Sequence, residues 1–131
     1  MSKQILRKKL IELRKLNYLN QKISYEKFKS ILKKMNLKKT LTIGGYFPIN
    51  CEIDCLEILK KMEEDNFSIS LPVTSKYSNM DFYKWSFKDD LRIGKQGIPE
   101  PTTKKKVFPD ILIVPLVGFD KEKYRLGYGG G

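Results

Sequence analysis

DILIVPLV, residues 110–117, decides the fold. A continuous apolar run of this length, bounded by Asp110 and broken only by Pro115, reads as a central strand buried on both faces of a parallel sheet. The rest of the chain is read outward from it. TLTIGGYF (40–47) is β-rich and ends at Pro48, which cannot continue a ladder. FSISL (67–71) is a short strand closed by Pro72, and MDFYKWSF (80–87) alternates like another strand. Residues 88–109, rich in Gly, Pro and Lys, read as loop.

Helical periodicity fills the remaining segments. Over residues 2–17, Ile5, Leu6, Leu10, Leu13 and Leu16 share one apolar arc, with Lys3, Arg7 and Arg14 along its edge. Residues 22–36 predict a second helix that buries Phe28, Ile31, Leu32 and Met35 and stops at Asn36. Asn50 is the expected N-cap of a third helix carrying Ile53, Leu56, Leu59 and Met62, with Glu52 in its first turn. Helices alternating with strands predict an α/β fold. The expectation is a layered α/β/α arrangement with a mostly parallel central sheet, two N-terminal helices and a sheet incomplete at the C-terminus. Residues 1–131 form one domain on this reading.

Composition narrows the function classes. The formal net charge is +11, from 26 basic and 15 acidic residues, yet Arg occurs only at 7, 14, 92 and 125. A Lys excess spread along the chain reads as a solvated coat, whereas nucleic-acid surfaces cluster charge and favour Arg. The absence of His closes the Ser-His and Cys-His nucleophilic schemes and His-ligated metals. Cys51 and Cys55, four apart and expected on one helical face, lack the further ligands a zinc site needs. MSKQILRKKL is too charged for a signal peptide, and the longest apolar stretch is too short to span a bilayer. A cytoplasmic protein is expected.

The last residues, RLGYGGG (125–131), carry the sharpest chemistry. Glycines admit positive φ and let successive N–H groups converge on one anion, and Arg125 adds a charge-assisted fork. The same residues also read as a frayed glycine tail. Folds seldom end inside such a loop, so the chain is expected to be C-terminally truncated.

Together these pieces resemble the 5-formyltetrahydrofolate cyclo-ligase family. The resemblance rests on KQILR (3–7), YFPINCEID (46–54), LPV (71–73), MDFYKW (80–85), GIPEP (97–101), DILIVPLVGFD (110–120) and RLGYGGG (125–131), in the family's order. It implies closure of the formyl group of 5-formyltetrahydrofolate onto the neighbouring nitrogen, with ATP and Mg2+, giving 5,10-methenyltetrahydrofolate. The formyl oxygen attacks the γ-phosphate, the second folate nitrogen adds to the activated carbon, and phosphate departs. The resemblance implies ATP binding by Lys3, Gln4, Ile5, Leu6 and Arg7 and by Arg125, Leu126, Gly127, Tyr128, Gly129, Gly130 and Gly131. Arg125, Gly129 and Gly130 would be catalytic, and Phe47, Glu52 and Tyr128 with the three terminal glycines would contact folate. The family's loop continues into Tyr-Tyr-Asp-Arg, whose aspartate helps hold magnesium, so no metal ligand is expected within this chain.

The residues themselves fit these assignments without requiring them. Lys3 and Arg7 sit at i, i+4 near a helix N-terminus, which favours anions, and read equally as a basic helix edge. Glu52 can accept from a pterin's amino and ring N–H groups or simply face solvent in a first turn. Met80 and Phe82 share a strand face, Trp85 reads as core, and GIPEP reads as a rigid turn that leaves any role of Glu100 open. Gln96 departs from the apolar residue the family more often carries there. A monomer acting on small molecules, without membrane or nucleic acid, is the expectation. The rivals are a basic RNA-associated binding module and a non-catalytic ATP-binding relative.

Overall fold

Glycines at the end of the first strand set how closely neighbouring side chains approach its backbone. The computed structural model describes residues 1–36, 41–74 and 79–128. Strand β1 (Thr42–Gly44) runs parallel to β2 (Ser68–Thr74) on one side and to β7 (Ile111–Leu112) on the other. Strand β3 (Met80–Trp85) pairs antiparallel with β2, and β6 (Lys106–Val107) antiparallel with β3. The order β6-β3-β2-β1-β7 makes a mixed sheet, not the mostly parallel one expected. The reason is local: only five residues separate the end of β2 at Thr74 from the start of β3 at Met80, too few for a parallel crossover, so the two strands pair in opposite directions.

The apolar run at 110–117 forms no central strand. Only Ile111 and Leu112 pair with β1, and β7 lies at the sheet's edge among the described residues, with Leu112 51% exposed. The centre belongs to β1 and β2, whose Ile43, Ile69 and Leu71 are buried. Pro72 does not close β2, which continues to Thr74 with Pro72 opposite Phe82. Pairing with β1 has already ended at Ser70, so a residue without an N–H sits where one flank needs no ladder.

The supposed loop at 88–109 holds more order than its composition suggests. β4 (Leu91–Ile93) and β5 (Pro99–Pro101) form a hairpin whose turn uses Gly97 at φ 73°, closed by the Gly97 N–H donating to Gly94 O at 3.0 Å. GIPEP therefore supplies a strand, not a turn through its prolines. A second hairpin joins β8 (Gly118–Phe119) to β9 (Arg125–Leu126).

Helix α1 (Lys3–Asn17) starts at Ser2, whose Oγ accepts from the Ile5 N–H at 3.3 Å. Its apolar arc does not face the body: Ile5, Leu6, Leu13 and Leu16 are exposed, and Arg14 is buried. The inward stripe is Arg7, Leu10 and Arg14, one helix face at i, i+3, i+7. A 3-10 turn (Tyr18–Asn20) leads to α2 (Tyr25–Lys34), where Phe28 and Leu32 pack on the core but Ile31 and Met35 are exposed. Asn36, at φ 57°, follows the end of that helix as expected.

Helix α3 (Leu56–Glu64) begins five residues later than Asn50 would have set it. Asn50 and Cys51 both have left-handed φ, at 49° and 59°, and no helix starts through two such residues. Asp54 supplies the first-turn acceptor instead, taking the Leu56 N–H at 2.8 Å. The two cysteines consequently share no helical face, and Glu52 lies in the preceding loop. Ile58, Leu59 and Met62 of α3 build the core against Ile43, Ile69, Leu71 and Trp85, so the core reading of Trp85 holds.

A Cβ at Gly45 would lie 2.5 Å from Leu59 Cδ1, a fully buried side chain with nowhere to retreat. Gly45→Ala should cost about 1–3 kcal/mol of stability in urea unfolding, the usual range for overpacking a core. Adding Leu59→Ala should cost less than the sum of the two single changes, because they share one contact.

Candidate functional site

One arginine gathers the site. Arg14, 8% exposed, donates through Nη2 to Asn50 O at 2.9 Å and to the Tyr128 hydroxyl at 2.5 Å, and through Nη1 to Leu116 O at 3.4 Å. Its guanidinium carbon also lies 5.5 Å from the Tyr128 ring centroid. The Tyr128 hydroxyl donates in turn to Glu52 Oε1 at 2.9 Å, and the Ile49 N–H donates to Oε2 at 3.0 Å. Helix α1, the 49–52 loop, the 114–117 segment and residue 128 thus meet at one hydrogen-bonded node.

The left-handed turn at Asn50 and Cys51 explains why Glu52 points inward. It reverses the chain so that the Glu52 N–H reaches Ile49 O at 2.9 Å and its side chain folds under the loop, 5% exposed. Burial is the largest influence on Tyr128 and raises its hydroxyl pKa. The Arg14 hydrogen bond opposes that rise, while the bond to Glu52 adds to it. A neutral hydroxyl bridging a cation and a carboxylate keeps both charges satisfied.

The opening helix and the end of the described chain are also tied directly. Arg7 Nε donates to Gly127 O at 2.7 Å. Leu10 packs so tightly on the β8/β9 hairpin that a Cβ at Gly118 would lie 2.6 Å from its Cδ1. Arg7, Leu126, Gly127 and Tyr128 therefore belong to one surface. Lys3, Gln4, Ile5 and Leu6 lie on the exposed first turns of the same helix, and Arg125 is exposed on β9. Gly129, Gly130 and Gly131, expected to cradle phosphate, lie outside the described residues.

Two cavities flank the node and share Tyr46 and Glu52 as a wall. One, about 330 Å³, opens between α1 and residues 114–119. The other, about 240 Å³, is lined by Phe47, Ile49, Glu52, Met80, Gln96, Ile98, Glu100 and Tyr128, among others. It sits beyond the C-terminal ends of β1 and β2, where ligands of such sheets bind. The residues expected to contact folate, Phe47, Glu52 and Tyr128, are together in it. Gln96 does stand in one wall, whereas Phe82 does not line it and packs beside Gly44. Among the described residues no three His, Cys, Asp or Glu side chains converge as a metal site would require.

Sequence reasoning missed Arg14 as a site residue, listing it only on a helix edge. A signal was present: Arg in a chain that otherwise uses Lys marks a place where a planar multi-donor fork is needed. It also missed Tyr46, whose hydroxyl donates to Ile53 O at 2.6 Å and whose backbone exchanges contacts with the Cys55 thiol.

The 5-formyltetrahydrofolate cyclo-ligase family model matches residues 1–131. The chain belongs to that family. Cyclo-ligases from Haemophilus influenzae and Escherichia coli K12 are 31% and 30% identical to it over 101 and 97 residues. Those alignments cover 72% and 69% of this chain but 54% and 53% of the relatives, so the chain spans about half the length of the curated relatives it matches. Among solved structures, the Aquifex aeolicus 5,10-methenyltetrahydrofolate synthetase superposes with a TM-score of 0.79 at 32% identity, covering 100% of this chain and 69% of that one. A Mycoplasma pneumoniae synthetase shares the fold, with a TM-score of 0.62 at 21% identity over 98% of this chain and 73% of its own. The family match thus extends across the helix, the loop and the hairpin that build the node.

Arg14→Met should destabilise the protein by about 2–4 kcal/mol in urea unfolding, because two carbonyls and a hydroxyl lose their donor together. Arg14→Lys should recover only part of that loss, since an ammonium cannot reproduce the fork. The core residue Cys55, bonded to the Tyr46 backbone, gives a second test. Burial pushes its thiol up from 9.0 to about 11, so the native state holds that proton more tightly than the unfolded chain. Stability is then full below pH 9 and falls as pH climbs towards about 11. Cys55→Ala should flatten that decline, read from urea midpoints at pH 8 and pH 10.5.

Proposed function

We propose that this chain carries the folate-binding and nucleotide-binding face of an enzyme that cyclises 5-formyltetrahydrofolate to 5,10-methenyltetrahydrofolate at the expense of ATP. The single observation that carries the reading is the chain of contacts from Arg14 through Tyr128 to Glu52, with Arg7 held on Gly127 beside it. That chain assembles residues from both ends of the sequence around one buried carboxylate. On this reading residues 1–131 act as one unit.

Each group has a chemical task. A pterin ring fits between the apolar walls of the 240 Å³ cavity, Phe47, Ile49 and Ile98 among them. Glu52 accepts hydrogen bonds from the ring's amino and N–H groups, since each of its oxygens keeps acceptor capacity beyond its protein partner. The Gly127 contact spends a single donor of the Arg7 guanidinium, leaving its remaining N–H groups for phosphate oxygens. Lys3 and Arg125 add exposed positive charge to that surface, and Gly129, Gly130 and Gly131 follow directly from Tyr128.

The reaction then follows from positioning. The formyl oxygen attacks the γ-phosphorus of ATP, ADP leaves, and the oxygen on carbon becomes a phosphate leaving group. The neighbouring folate nitrogen adds to that carbon, loses its proton, and inorganic phosphate departs. Magnesium normally joins phosphate oxygens to one or two carboxylates. Among the described residues no three His, Cys, Asp or Glu side chains converge, and no step is routed through the ion.

Calorimetric titration of this chain with 5-formyltetrahydrofolate tests the reading. Saturable binding is expected, weakened about tenfold or more in Glu52→Gln, the scale of one charged hydrogen bond. A protein that stays folded and shows no saturable folate binding would overturn it. So would salt-resistant binding of structured RNA in its place, which would favour the basic binding module.

A further inference from the structure

Glu52 is not the only buried carboxylate in the folate cavity. Glu100, on β5, is 9% exposed and lines the same 240 Å³ space. Its Oε1 accepts from Arg92 Nε at 3.0 Å, which fixes the carboxylate plane. Among the described residues no donor reaches its Oε2. That oxygen lies against Gly94, where an added Cβ would come within 2.5 Å of it, so the hairpin keeps a side chain out of the space Oε2 occupies. With one oxygen bonded to Arg92 and the other facing a ligand cavity, the carboxylate keeps acceptor capacity for a ligand donor.

We propose that Glu100 determines specificity for the reduced pterin state, accepting a hydrogen bond from a ring N–H that only the reduced ligand possesses. The inference rests on the folate reading given above and goes beyond it. A carboxylate only accepts. The amino group and N3–H recognised by Glu52 occur in reduced and oxidised pterins alike, so Glu52 cannot tell them apart. N8 is different: it carries a hydrogen in 5-formyltetrahydrofolate, whereas in folic acid it is an aromatic nitrogen with an outward lone pair. Facing Glu100 Oε2, the first donates a charge-assisted bond and the second meets like-sign electron density. Rejection of the oxidised form then comes from an acceptor set against an acceptor, a mismatch by which a small site discriminates between ligands.

The test is the ratio of affinities for 5-formyltetrahydrofolate and folic acid, measured by calorimetry on the wild-type chain and three variants. Wild type should favour the reduced ligand, and Glu100→Gln, whose amide can present either a donor or an acceptor, should cut that preference about tenfold or more. Gly94→Ala, which crowds Oε2 without touching its charge, should cut it in the same direction and serves if Glu100→Gln fails to fold by circular dichroism. Glu52→Gln should weaken both ligands and leave the ratio unchanged. A ratio that survives both Glu100→Gln and Gly94→Ala, with reduced folate still bound, overturns this inference and leaves the folate reading standing. Failure of wild type to bind either ligand overturns both.

Discussion

A buried guanidinium organises this protein. Taking Arg14 out of water is costly, and the cost is met only because two main-chain carbonyls and one hydroxyl converge on it from separate parts of the chain. None of those acceptors is local to α1. The helix can bury Arg14 only if the left-handed turn at Asn50, the segment at Leu116 and the ring of Tyr128 are already in place. That mutual requirement makes the node a specifying device more than a source of stability. Its unmet Nε shows that the fit is imperfect even so.

The arrangement separates two kinds of recognition. The surface carrying Arg7 and Gly127 offers positive charge beside glycine backbone, suited to an anion. The cavity beyond β1 and β2 offers two buried carboxylates between apolar walls, suited to a flat ring rimmed with N–H groups. Tyr128 belongs to both, because its backbone continues the glycine segment and its hydroxyl reaches Glu52. A residue so placed couples the two halves by geometry alone: moving the loop moves the hydrogen bond on the carboxylate.

How much of this was legible depended on whether a signal was local. The spacing of Lys3 and Arg7 and the glycines after Arg125 did not by themselves join the two ends of the chain; the family resemblance implied that they meet on one ligand, and Arg7 does reach Gly127. Glu52 was wrongly placed in a helix, because positive φ at Asn50 and Cys51 is a tertiary outcome that residue preferences suggest only weakly. The apolar run at 110–117 misled because continuous hydrophobicity reports burial without saying what does the burying. Half of that run, Val114 to Val117, lines the cavity beside α1 instead of pairing in the sheet. The β4/β5 hairpin was invisible for the opposite reason, its prolines masking strand pairing that tolerates them. The orientation of α1 was the deepest miss, since amphipathicity argued for burying leucines and the node required burying an arginine.

That orientation has a colloidal consequence. With the helix turned inward on its arginines, Ile5, Leu6, Leu13 and Leu16 form an oily stripe in solvent, and the edge of β7 beside Leu112 has no neighbour among the described residues. What keeps such surfaces apart in dilute buffer is mutual repulsion between copies that each carry +11 charges. Ions shorten the reach of that repulsion to about 8 Å at physiological strength while leaving hydrophobic attraction intact. Low-salt buffers therefore favour dispersed molecules, and added electrolyte favours clustering.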